Sequence, residues 1–105
     1  MEGLGQWTAV GPVAGRPDLD AVMVGGREIA VARLESGDWV AFDNSCTHED
    51  CPLAEGDLEG NRIVCHCHSS AFDVRTGEVL EGPAEEPLAV YPVRIANGEL
   101  QVAVP

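Results

Sequence analysis

All four cysteines and all three histidines of this chain fall between Cys46 and His68. They occupy two short stretches, Cys46-Thr47-His48-Glu49-Asp50-Cys51-Pro52-Leu53 and Cys65-His66-Cys67-His68-Ser69-Ser70-Ala71-Phe72-Asp73. Read by ligand type, the pattern is Cys-x-His, then 16 intervening residues, then Cys-x-x-His. Each stretch offers one soft thiolate and one imidazole. Two converging loops could therefore present two sulfurs and two nitrogens to a single metal site. Mixed sulfur and nitrogen ligation suits zinc or an iron–sulfur centre. A structural zinc site on the same residues stays open at this level, although zinc fingers and knuckles usually rest on a small helical unit. A cluster held by all four cysteines fits less well, because the spacing C-x4-C-x13-C-x-C differs from the plant-type arrangement and leaves the histidines idle.

Two such loops need a rigid scaffold. The segments around them are short and rich in β-branched and aromatic residues: 7–10, 21–24, 28–34, 39–42, 62–65, 71–74, 88–91 and 100–104. Gly25-Gly26, Ser36-Gly37, Thr76-Gly77 and Asn97-Gly98 lie between them and tolerate the positive φ of tight turns. No stretch keeps a helical apolar period for 10–12 residues. The expected fold is all-β, an antiparallel sandwich or barrel carrying two converging loops over residues 44–72. Residues 49–60 read as loop, with room for one short helical turn.

At 105 residues the chain makes one domain, 1–105. Eighteen acidic residues against six arginines and no lysine give a net charge of -12. A sequence pI near 4.3 argues against nucleic acid and anionic membrane as partners. No apolar run approaches the roughly 18 residues that span a bilayer. Residues 1–5 show no secretory pattern, so a cytoplasmic location is expected.

The paired loops closely resemble the Rieske family, in which two Cys bind one iron of a [2Fe–2S] cluster and two His bind the other. The likeness extends through Ala71-Phe72-Asp73-Val74, Thr76-Gly77-Glu78-Val79 and Gly82-Pro83-Ala84, where the family carries a third loop over the cluster. It is strongest between Asp43 and Tyr91. The resemblance implies a Rieske domain with a small cluster-binding subdomain. Cys46 and Cys65 would ligate the inner iron, and His48 and His68 the outer one near solvent. Replacing two thiolates by neutral imidazoles raises the potential from about -400 mV to between about -150 and +300 mV. The resemblance further implies a disulfide between Cys51 and Cys67, as in the membrane-complex branch, with burial protecting it. Two buried free thiols are the alternative. His66 breaks the ligand pattern and reads as a surface residue or as one that supports the ligands from behind.

Ser70 matches a family serine that donates to a bridging sulfide and raises the potential. Phe72 stands where high-potential members place a tyrosine, so one donor is missing. Glu49 and Asp50 add negative charge beside the cluster. These departures predict a potential at the low end of the range. The resemblance thus implies an electron carrier with no catalytic residues of its own. It would pass electrons from a flavin-dependent ferredoxin reductase to a terminal oxygenase of the aromatic-ring dioxygenase type. Acidic residues near the loops, Glu78, Glu81, Glu85 and Glu86 among them, would steer a transient encounter. The other readings are a small Rieske subunit of another oxidoreductase such as nitrite reductase, a high-potential Rieske head domain, and a zinc-stabilised binding module.

Overall fold

Strand β3 (Arg27–Arg33) is buried on both faces, and that sets the order of the layers. Side chains alternate across a strand. Ile29 and Val31 face one way, packed with Leu100, Val102 and Val104. Ala30 and Ala32 face the other, packed with Ile63, Phe72 and Val74. The branched side chains fill a wide gap, whereas the alanines let a second sheet come close. A central sheet is thereby covered on both sides. The computed structural model describes residues 6–47, 51–67 and 69–104. The expected ligands His48 and His68, and the acidic neighbours Glu49 and Asp50, lie outside those residues.

Every strand pairing is antiparallel. The central sheet has the order β2 (Leu19–Val24), β3, β4 (Trp39–Asp43), β9 (Val90–Tyr91). One outer sheet has the order β1 (Gln6–Pro12), β11 (Glu99–Val104), β10 (Val93–Ala96). The other outer sheet runs β5 (Asp57–Glu59), β6 (Arg62–Val64), β7 (Ala71–Asp73), β8 (Val79–Glu81) in order. This last sheet is the small subdomain; the first cysteine-bearing stretch precedes it, and the second links β6 to β7 within it. Among the described residues there is no α-helix, only one 3-10 turn at Leu53–Glu55. No helix among the described residues is long and apolar enough to cross a membrane.

Each strand-rich segment expected from the sequence contributes a strand, and three further strands appear. Asp57–Glu59, read as loop, is β5. Its composition is two carboxylates around one leucine, which hides a strand whose only inward side chain is Leu58. Val79–Glu81 and Val93–Ala96 are too short to show an alternation. Two hairpins are closed by turns with positive φ at both central residues, Gly25-Gly26 (58° and 81°) and Asn97-Gly98 (54° and 77°). That geometry matches the right-handed twist of the strands it joins.

Arg27, Tyr91 and Asp43 tie the central sheet together below the first cysteine loop. The Tyr91 hydroxyl donates to Asp43 Oδ1 at 2.7 Å, and Arg27 Nη1 donates to the Tyr91 oxygen at 3.5 Å. Burial, then the Asp43 carboxylate, raises the Tyr91 pKa above its ordinary value. The folded chain thus holds this proton more tightly than the unfolded chain does. The contribution is complete below the ordinary tyrosine pKa and is lost as pH rises through the raised one. Tyr91→Phe is therefore expected to flatten the alkaline limb of a stability-against-pH curve. An unchanged alkaline slope in denaturant titrations would count against this role.

Candidate metal centre

The first loop leaves β4 at Asp43 and is shaped by Asn44, a buried residue 2% exposed. Its backbone N–H donates to the Glu28 carbonyl at 3.2 Å. Its backbone carbonyl accepts from Leu53 N–H at 2.6 Å, and its side-chain Oδ1 accepts from Ala54 N–H at 2.8 Å. One asparagine thus holds both the start of the loop and the 3-10 turn that ends it. Cys46 N–H donates to the Cys51 carbonyl at 3.0 Å, and Ser45 bridges Pro52, closing the hairpin between. The sequence reading missed Asn44. An asparagine, whose short amide side chain readily bonds nearby backbone in turns, two residues before a candidate ligand was the available signal. Asn44→Ala would leave the Ala54 N–H unpaired, at a cost of about 1–3 kcal/mol. A lowered denaturation midpoint with unchanged slope is expected. Faster loss of bound iron to a chelator should accompany it.

The second loop joins β6 to β7. Cys65 N–H donates to the Ser70 carbonyl at 2.7 Å, and Ser69 N–H donates to the Cys65 carbonyl at 2.9 Å. Ser69 takes the left-handed conformation, φ 63°, to turn the chain back. A third segment, 82–88, crosses both loops. Ala84 N–H donates to Ser70 Oγ at 3.1 Å, while Thr47 Oγ1 donates to the Glu86 carbonyl at 2.6 Å. Each cysteine loop thus contributes one hydroxyl that fastens this strap. Its far end is fixed by Leu88 N–H donating to the Gly77 carbonyl at 2.8 Å. Gly77 has φ 84°, and a Cβ there would run into the Leu88 carbonyl.

Cys46 and Cys65 are 2% and 0% exposed and belong to one buried cluster with Leu53, Ile63, Phe72 and Ala84. Cys51 and Cys67 form a disulfide with Cα atoms 6.5 Å apart, inside the ordinary range. It is not shielded as expected, since Cys51 is only half-buried and Cys67 is exposed. Four short strands and a strap are too little structure to cover a bond between the two loops. Ser70 is fully buried. Its oxygen is an acceptor for Ala84, which does not use the hydroxyl's own proton. Phe72 is also fully buried, its ring among the core side chains. His66 is exposed.

The charges divide sharply. Each of the six arginines has a partner: Arg16 with Asp20, Arg27 with Tyr91, Arg33 with Asp18, Arg62 with Glu59 and Glu81, Arg75 with Asp38, and Arg94 with Gln101 and the Trp7 ring. None lies in 44–56, 65–70 or 82–88. Glu85 and Glu86 are exposed on the strap, and no arginine pairs with either. The described part of the loop end therefore presents carboxylates without counter-charge.

Buried thiols from two loops, with hydrogen-bonded backbone around them, suit soft-metal ligation and shield it from water. The donor set of the two loops fits an iron–sulfur group. The profile of the Rieske [2Fe-2S] domain matches residues 6–92. A ferredoxin component of the naphthalene 1,2-dioxygenase/salicylate 5-hydroxylase systems of Ralstonia sp is 42% identical over 80 residues, 76% of each chain. In a solved complex of reduced oxygenase and oxidised ferredoxin in carbazole 1,9a-dioxygenase, a chain 33% identical superposes with a TM-score of 0.84, over 91% of this chain and 100% of that one. The ferredoxin of carbazole 1,9a-dioxygenase from Nocardioides aromaticivorans IC177 gives 29% identity and a TM-score of 0.87, over 94% and 98%.

Proposed function

The chain belongs to the Rieske [2Fe–2S] domain family, and on that premise we propose that it serves a dioxygenase-type system with its cluster held by Cys46, His48, Cys65 and His68. Its relatives are electron-carrying components and not the catalysts of their systems, and this chain is a carrier of the same kind. The observation that supports the site assignment is that Cys46 and Cys65, one from each loop, belong to a single buried cluster. The two thiolates would hold the inner iron, and the two histidines the outer one. When bound, the group supplies a one-electron couple at the surface. The chain's own part is to hold the loops in register, keep water off the thiolates and present a charged face to partners.

Asn44 and the two strap hydroxyls do the holding. The Ser70 proton is available to a sulfide and raises the potential, but Phe72 supplies no second donor and the acidic neighbours oppose reduction, so the potential should sit low in the Rieske range. Voltammetry across pH tests the reading. A midpoint near -150 mV, flat through neutral pH, is the expected result. A clearly positive midpoint that already falls near pH 8 would assign the chain to the high-potential branch instead.

The partners are a flavin-dependent reductase and a terminal oxygenase, met in the cytoplasm in brief encounters. The unpaired carboxylates of the strap support this. Glu86 lies against the loop that bears Cys46, so a basic patch docking there comes close to the site. Electrostatic steering raises encounter rates and fades with ionic strength. Glu85→Gln with Glu86→Gln should slow reduction by the reductase at low salt and weaken the salt dependence. Its midpoint potential should shift little by comparison. Wild-type salt dependence in that variant would remove the strap from the docking face.

A further inference from the structure

The sulfurs of Cys51, Cys65 and Cys67 all lie within 4.8 Å of one another, and Cys46 is not part of that group. A disulfide and a third cysteine at such range are placed for exchange. We propose that the cluster-free chain reshuffles its disulfide, moving it from Cys51–Cys67 to Cys51–Cys65 and so capping Cys65. The Cys65 thiolate attacks Cys51 Sγ. The Cys51–Cys65 bond forms, the Cys51–Cys67 bond breaks, and Cys67 leaves as the thiolate. One disulfide and one thiolate stand on each side, so neither oxidant nor reductant is consumed.

The direction follows from burial. Cys65 is 0% exposed and Cys67 is exposed. Exchange therefore moves a thiolate from a fully buried position to an exposed one, where water solvates the charge. Attack on Cys67 instead would close a small ring across His66 alone, which disfavours that product. Iron at Cys65 would hold its sulfur and block the reaction. This consequence rests on the ligand assignment above; the exchange itself does not. Loading of iron and sulfide would then need a thiol reductant once the cluster has been lost.

The test starts from the purified holoprotein, stripped of iron by a chelator without reductant under argon and desalted. Aliquots taken over several hours are quenched in acid, unfolded in N-ethylmaleimide at mildly acidic pH so that the buried thiols are reached without further exchange, and mapped by peptide mass spectrometry. The expected result is label on Cys46 throughout, with the second label passing from Cys65 to Cys67. Reconstitution with ferrous iron and sulfide should fail in the aged sample and recover after dithiothreitol. Cys65→Ala, which holds no cluster, is given the same amount of sulfide to guard against its reduction of the bond, and its Cys67 should stay unlabelled. Label that stays on Cys65, or Cys67 labelled equally in the Cys65→Ala chain, overturns the proposal. Absence of iron in the protein as first purified would count against the cluster reading alone, and the labelling would still report on exchange.

Discussion

Cys65→Ser yields a folded chain that retains no iron. Cys65 lies in the fully buried cluster that joins the central sheet to the small subdomain. A serine fits that space, and its backbone N–H can still donate to the Ser70 carbonyl. The soft thiolate is what disappears. A hydroxyl stays protonated near neutral pH and is a poor substitute for sulfur on iron. Iron and acid-labile sulfide per chain should drop to background, together with the visible absorption, while the far-ultraviolet dichroism keeps its β signature. His66→Ala, at an exposed position outside the ligand pattern, should keep full iron. Full iron in Cys65→Ser would remove this residue from the ligand set, and iron loss in His66→Ala would bring that histidine into it.

Loss of the Cys51–Cys67 disulfide should be the largest single change in stability. The bond spans a sequence separation of 16. For a loop of that size the chain-entropy estimate is about 3 kcal/mol. The whole stability of such a domain is only about 5–15 kcal/mol. At about 4–8 °C per kcal/mol for a domain near this size, the melting temperature should fall by about 12 °C or more. Because Cys67 is exposed, a small thiol reductant should reach the bond in the native protein without prior unfolding. Calorimetry of the reduced, alkylated chain and of Cys51→Ala with Cys67→Ala measures the difference. A melting temperature unchanged in the double variant would mean that the three hydrogen-bonded segments hold the loops together unaided.

The family's paired-ligand motif was legible because it is local. Cys46, His48, Cys65 and His68 lie in two stretches whose residue types do not need a fold to be recognised. The hairpins were legible for the same reason, since Gly25-Gly26 and Asn97-Gly98 carry their turn geometry in their own φ preferences. The strands of β3 and β4 declared themselves through β-branched and aromatic residues. Even the layer order was latent in Ile29-Ala30-Val31-Ala32, large side chains alternating with small.

What lay beyond the sequence depends on contacts between distant segments. Asp57–Glu59 is a strand because Arg62–Val64 offers it a partner, and a short acidic tripeptide has no such tendency by itself. The strap 82–88 is held by Thr47 and Ser70, 39 and 14 residues away from their partners. Asn44 acts on a turn ten residues further along. The exposure of Cys67 and its closeness to Cys65 were equally out of reach. Spacing names the residues that can bind, but only packing decides which sulfur is sheltered and which meets water.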